Sequence, residues 1–229
     1  MGKRDVGEAD RIYAIYTLEA GKISARASGV RKNNAKLAGS LETATLAEIF
    51  LAKTRGMGKI TGVVPLNYFY GIRENLEAVT KIFHAFSFFN KIIFEQEKDS
   101  VVFDLLQKYL ETMEEISFDA KNENKLDILT CGFLFKLMAK SGYKLETGKC
   151  AGCGKKLQPI GNFFSAEKGG ILCENCKNIR EKKINISGES IKLLRIFFKN
   201  KLENLAKLKV SEKDIKNLQI VAQETVNWI

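Results

Sequence analysis

Two cysteine pairs, Cys150-Ala151-Gly152-Cys153 and Cys173-Glu174-Asn175-Cys176, lie nineteen residues apart in a chain of 229 residues. Four thiolates at that spacing can close on one tetrahedral ion with bonds of about 2.3 Å, which forces the intervening chain back on itself. A shell of four sulfurs leaves no open position for water or substrate, so the expected cofactor is a structural zinc ion held by Cys150, Cys153, Cys173 and Cys176. Phe163-Phe164-Ser165 and Ile171-Leu172-Cys173 read as short strands, with Lys168-Gly169-Gly170 as the turn, giving a zinc-ribbon hairpin. Two disulfides, a redox C-x-x-C or iron could use the same residues. Met1 to Asp10 is charged rather than apolar, so no secretory leader is expected and a reducing, cytoplasmic compartment is favoured. A lone redox pair would not need a second C-x-x-C. The fifth cysteine, Cys131, lies in Leu126 to Met138, which is apolar on every side and reads as a buried helix.

The net charge of +10 is uneven along the chain. Residues 1–75 hold twelve basic and seven acidic side chains, 76–146 nine and twelve, 147–185 eight and three, and 186–229 eight and five. The ends are basic and the middle is not. Four thiolates on a divalent ion leave two negative charges, so Lys149, Lys155, Lys156 and Lys177 have a neutralising role that needs no ligand. The N-terminal cations have no such explanation. Between Glu19 and Glu42 there are five bases, Lys22, Arg26, Arg31, Lys32 and Lys36, and no acid. Lys22 to Ser28 alternates, which as a strand turns Ile23, Ala25 and Ala27 inward and Lys22, Ser24, Arg26 and Ser28 outward. A basic strand face running into a basic loop fits a phosphate track, and a solvated surface without a partner fits equally on charge alone.

Strands are expected at Arg11–Thr17, Lys22–Ser28, over a longer apolar stretch from Leu41 to Lys53 and at Ile60–Val64, with turns at Glu19-Ala20-Gly21 and Met57-Gly58 and a stop at Pro65. Short strands and tight turns in about 70 residues suggest a small closed barrel, of which the OB type binds oligonucleotides. From about Asn75 the period changes to near 3.6. Leu76–Phe94 reads as a mostly covered aromatic helix. Val102, Leu105, Leu106, Tyr109 and Met113 form the buried stripe of the next. Ser187 and Ser211 are candidate caps of two later helices, the second placing Ile215, Leu218, Ala222 and Ile229 on one face. The ribbon therefore interrupts a helical domain.

Catalysis finds little support. The one histidine, His84, sits among phenylalanines and reads as structural; adjacent Glu114 and Glu115 read as solvent-facing. There is no H-x-E, H-E-x-x-H or phosphate-binding G-x-x-x-x-G-K-[S/T], so a non-enzymatic role is expected. No stretch approaches the roughly 20 apolar residues of a membrane span. One reading of the residues is a zinc-ribbon nucleic-acid adaptor in transcription or RNA processing, in which Lys155, Lys156 and Lys177 would dominate contact.

The order of several short segments carries a resemblance. Asp5-Val6-Gly7-Glu8-Ala9-Asp10-Arg11, Thr17 to Ile23, Ser28-Gly29-Val30-Arg31-Lys32 and Leu37 to Leu41 come first. Gly142-Tyr143, Cys150 to Gly154, Phe164-Ser165, Gly169-Gly170 and Cys173 to Cys176 follow. In this order the chain resembles the RecO family of bacterial recombination mediators over residues 5–176, with the C-terminal helices alike only in kind. The resemblance implies an α+β, multi-domain chain: an N-terminal OB-fold β-barrel in 1–75, then an α-helical domain in 76–229 carrying the four-cysteine zinc ribbon at about 147–180. It implies binding of single- and double-stranded DNA, annealing of complementary strands, and cooperation with RecR and the acidic tail of single-strand-binding protein in loading a RecA-type recombinase. A cytoplasmic, nucleoid-associated location follows, without nucleotide hydrolysis. The phosphate contacts expected are Lys22, Arg26, Arg31, Lys32 and Lys36, with Arg11 beside them. Family members carry a full strand before the Gly-Glu-x-Asp segment. Here Met1 to Val6 leaves room for a stub with an unpaired edge, unless the start lies upstream.

Overall fold

The computed structural model describes residues 1–52, 56–118, 124–177 and 184–229. The expected strand limit at Lys53 and ribbon limit at 180 lie outside these residues. The chain divides into two compact units, Met1–Glu115 and Ile116–Ile229.

The first unit begins with five strands, β1 (Gly2–Val6), β2 (Asp10–Thr17), β3 (Gly21–Ala27), β4 (Leu46–Ala52) and β5 (Gly58–Asn67). They form one sheet in the order β1-β2-β3-β5-β4. Its pairs are antiparallel except β3 with β5, which meet in parallel over Ala25↔Gly58 and Arg26↔Lys59 alone. The stub is a complete strand, since all five residues of β1 pair with β2. Among the described residues no ladder joins β1 to β4, so strand hydrogen bonds do not close the expected barrel; a Lys3–Glu42 ion pair of 2.8 Å reaches across from β1 instead.

Tyr13, Ala25, Ala27, Val30, Leu41 and Ile60 form the core under this sheet, with Ile15, Ile49 and Val63 packed against it. Ile60 and Val63 could not share a face in a regular strand. The register shift at Phe50/Leu51 inserts an extra residue opposite β4 and turns both inward. Pro65 does not end the strand: it pairs with Ala47 beside a second register shift. Its missing N–H is tolerated because, among the described residues, β5 at that point has no partner on its other side.

Two long helices, α2 (Leu76–Ile92) and α3 (Ser100–Ser117), follow the short α1 (Tyr70–Glu74). They belong to the first unit because Tyr16 of β2 packs on Phe89 and Phe103, with ring centroids 4.9 and 6.3 Å away, and donates its hydroxyl to the Asp99 carbonyl at 3.2 Å. The outward face of β2 and β3 is thus partly roofed by helix. Gly21 makes this approach feasible. It adopts φ +65°, and a Cβ there would lie 2.2 Å from the Glu97 carbonyl oxygen. The helix expected to reach Phe94 ends at Ile92, and its covering is incomplete: Phe86, Phe88 and Phe89 are buried, whereas Phe83 of α2 and Phe94 beyond it are exposed. His84 is exposed and meets the Phe88 ring at 4.8 Å. Glu114 is half-buried and accepts the Gly71 N–H at 3.2 Å, so it supports the first turn of α1 rather than facing solvent.

The second unit is built on α4 (Lys125–Lys140), buried on nearly every side as its composition predicts, with Cys131 inside. Against it pack α5 (Gly188–Lys199), α6 (Leu202–Leu205) and α7 (Glu212–Trp228). Between α4 and α5 runs a small sheet in the order β7-β6-β8, with β6 (Asn162–Ser165), β7 (Gly170–Cys173) and β8 (Ile184–Ile186). No helix among the described residues is long and apolar enough to cross a membrane.

Ser187 and Ser211 cap α5 and α7 as expected, accepting the N–H of Ser190 and Asp214. Asp214 joins the two caps, for its carboxylate accepts from the hydroxyls of Ser187 (2.6 Å), Ser190 (2.8 Å) and Ser211 (2.6 Å). Partial burial opposes its charge, but the three hydroxyls outweigh burial and hold the carboxyl below the usual range. A depressed carboxyl pKa stabilises the fold above the unfolded pKa and ceases to do so as pH falls through the folded one. Asp214→Ala should therefore cost about 2 kcal/mol at neutral pH. The gap to wild type should shrink below about pH 4, a trend that urea unfolding at pH 7 and pH 3 would reveal or refute.

Candidate metal centre and basic face

The first cysteine pair is set by a turn that a carboxylate organises. Glu146 accepts the N–H of Gly148 at 2.7 Å and of Lys149 at 3.3 Å, delivering Cys150 to the edge of the ribbon. The knuckle closes with Cys150 N–H to the Lys155 carbonyl and Gly154 N–H to the Cys150 carbonyl, at 2.8 and 2.9 Å. Ala151 then ties it to β7 through the Ile171 carbonyl at 2.8 Å. The hairpin appears where the sequence places it, and the second pair sits on a 3-10 turn, Glu174–Cys176, just beyond β7. The root of the ribbon is held by Arg195 of α5, whose guanidinium donates twice to the Thr147 carbonyl, with Nε at 2.9 Å. Nothing in the spacing of Arg195 announced that role.

The four sulfurs lie within 4.8 Å of one another, and those of Cys153 and Cys173 are 3.8 Å apart. A tetrahedron with bonds of about 2.3 Å has edges of about 3.8 Å, so the set fits one thiolate-bound metal ion with no vacant position. Cys150 is buried and Cys153 exposed, so the site lies at the ribbon surface. Gly152 permits the close approach: a Cβ there would come 3.1 Å from that of Cys176 and 3.3 Å from its sulfur. Burial opposes ionisation of Cys150, but the amides of Cys153, Cys173 and Gly152 aimed at its sulfur prevail and lower its pKa to about 6. Hydrogen bonding with Cys153 and Cys173 pushes Cys176 up to about 12. Of the ribbon lysines, Lys177 pairs with Glu174 and lies 5.1 Å over the Phe163 ring, while Lys155 and Lys156 are exposed.

The six cations expected to meet phosphate fall into three environments. Lys22 is occupied, donating to the carbonyls of Asn90 (2.7 Å) and Ile93 (2.9 Å) at the C-terminal end of α2. Burial lowers its pKa, against the pull of Glu95. Arg11, Arg26 and Arg31 are ion-paired. Arg11 Nε lies 2.6 Å from one oxygen of Asp5 and Arg31 Nε 3.3 Å from the other. Arg26 grips Asp10 at 2.6 Å, and the second Asp10 oxygen accepts the Gly29 N–H at 2.7 Å. Lys32 and Lys36 are exposed on the loop after β3, with no ion pair among the described residues. Asp5 and Asp10 enter the sequence reading as part of the family segment and not as partners of the arginines, although Asp5 stands directly across from Arg11 in the β1–β2 register.

Two family models match, Recombination protein O N terminal over residues 1–69 and Recombination protein O C terminal over residues 73–226. The chain belongs to the RecO family. The N-terminal RecO model spans the five-stranded sheet, and the C-terminal one takes in the helices and the ribbon. Among its relatives, the DNA repair protein RecO of Dehalococcoides mccartyi is 32% identical over 227 residues, covering 99% of this chain and 87% of the relative. That of Acetivibrio thermocellus is 30% identical over 219 residues, covering 96% and 84%. That of Alkaliphilus metalliredigens is 28% identical over 211 residues, covering 92% and 83%.

Proposed function

We propose that this RecO-family chain is a DNA repair and recombination mediator. It binds single- and double-stranded DNA, anneals complementary strands, and with a RecR-type partner and the acidic tail of single-strand-binding protein loads a RecA-type recombinase in the cytoplasm, at the nucleoid. The observation that carries this reading is membership of a family whose curated relatives bear the name DNA repair protein RecO over nearly the whole chain. The sheet order β1-β2-β3-β5-β4 with a parallel β3/β5 contact supports an OB-type reading of the first five strands.

Phosphate would be met first by Lys32 and Lys36, which have no ion pair among the described residues, then by Arg31, Arg26 and Arg11, which lie at the same end of the sheet as Asp5 and Asp10. Holding strands by their phosphates leaves bases free to pair, and such a step consumes no nucleotide. Zinc is the metal proposed for the four cysteines; it would cross-link the ribbon and take no part in a reaction.

Annealing of complementary oligonucleotides coated with single-strand-binding protein, followed by fluorescence over a range of salt, tests the function. Rapid annealing without ATP that collapses at high salt is the expected result; no annealing by folded, metal-loaded protein at low salt would refute it. Replacing Arg31, Lys32 and Lys36 with Ala should flatten the salt dependence of single-strand binding by about 0.7 log units for each phosphate that is no longer neutralised. An unchanged slope in the folded variant removes this face from the reading. The exposure of Lys155 and Lys156 favours a second reading, the zinc-ribbon adaptor, which gains if their replacement weakens binding more than that of Lys32 and Lys36.

A further inference from the structure

We infer that Asp5 is an internal stand-in for phosphate, seated between Arg11 and Arg31 and displaced when nucleic acid binds, so that it limits the affinity of the basic face. The inference rests on the DNA-binding reading above and concerns how that face is regulated. Each carboxylate oxygen of Asp5 serves one guanidinium, at 2.6 Å for Arg11 and 3.3 Å for Arg31. Arginine pairs with carboxylate and with phosphate through the same planar arrangement of donors, so the seat suits either anion.

Asp5 and Asp10 look equivalent in sequence but are held differently. Asp10 is fixed from two directions, by Arg26 and by the Gly29 amide, and so anchors the loop that starts there. The side chain of Asp5 is held by the two arginines and is 48% exposed, so it can swing away without breaking backbone structure. Arg31 keeps its place when Asp5 leaves, because its side chain also donates to the Gly7 carbonyl at 3.2 Å and its N–H to the Ala9 carbonyl at 3.0 Å. The exchange therefore trades one anion for another at a seat where Arg31 is already oriented.

Asp5→Asn keeps the shape of the side chain and removes its charge. Compared with wild type, it should bind a single-stranded oligonucleotide about fivefold more tightly at low salt, with a salt slope steeper by about 0.7 log units. Glu8→Gln is the control, removing one exposed acid from the turn that follows β1 and leaving the ion pairs of Arg11 and Arg31 with Asp5 in place. An Asp5→Asn gain that exceeds the Glu8→Gln gain, and that vanishes in an Arg11→Ala/Arg31→Ala background, supports the inference. Equal gains in the two variants, or none, overturn it.

A measurement on wild-type protein needs no variant: the Nε–H resonances of Arg11 and Arg31 should shift on adding oligonucleotide, and unmoved resonances under saturating DNA also overturn the inference. The DNA-binding reading is judged separately, by whether wild-type protein binds in a salt-dependent way and whether replacing Lys32 and Lys36 weakens it.

Discussion

Stripping the metal with a chelator, or replacing Cys150 with Ser, should unfold the ribbon while leaving the helices of the second unit intact. The sheet there has strands of four, four and three residues, too short to hold together as an isolated element. The knuckles depend on the sulfurs as well as on backbone bonds, since the Cys173 N–H donates to Cys150 Sγ at 3.3 Å. Structural zinc in small sites contributes about 10–16 kcal/mol of apparent binding free energy at neutral pH, which is folding free energy for the segment it clamps. The core of α4, with Leu129, Phe133 and Leu137 wholly buried, has its own partners in α5, α6 and α7. Amide exchange at Ile171 and Leu172 should therefore accelerate by orders of magnitude on chelation, with little change at Leu129. Protection at Ile171 that survives complete metal removal would show that the hairpin folds unaided.

Gly21→Val should be the most damaging single substitution in the first unit. The residue sits at φ +65°, and its added Cβ would lie 2.2 Å from the Glu97 oxygen, against backbone that cannot yield as a flexible side chain would. Left-handed strain and overpacking together cost about 3 to 5 kcal/mol. The damage extends further, because relief of the clash moves residues 95–98 away from β3 and pulls the carbonyls of Asn90 and Ile93 off Lys22. Gly7→Ala is the control, with φ +60° but no atom within 4 Å of the new Cβ, and should cost about 1 kcal/mol. Urea unfolding curves for the two variants decide the matter, and equal midpoints would mean that the 95–98 segment carries no weight.

Local chemistry was legible where it repeats within a few residues. The cysteine spacing, the hairpin between Asn162 and Cys173, the buried α4 and the caps at Ser187 and Ser211 all follow from short patterns. Strand β1 was less visible because Lys3, Arg4 and Asp5 in its middle are all exposed, so no apolar alternation marks it. Alternation correctly set the faces of β3, but it could not tell that a helix end 68 residues away would supply acceptors for Lys22. The same limit hid the partners of Arg11, Arg26 and Arg31. A count of cations along a segment is blind to acids brought across a sheet by register or by a turn, and Asp5 and Asp10 arrive in those two ways.

The narrow seam between β3 and β5 bears on how the first unit assembles. On one side lies a meander, β1-β2-β3, and on the other a hairpin, β4-β5, each closed by contacts between neighbours in sequence. Among the described residues, two residue pairs of the sheet join them. Each half can form at the speed of a local hairpin, and the slow search for distant partners is confined to that join and the side chains beneath it. Pairing across that join, with Ile60 and Ala25 in the core beneath it, is the step that completes the sheet, so folding rates should respond to changes at these two residues more than to any along the outer edge of β4.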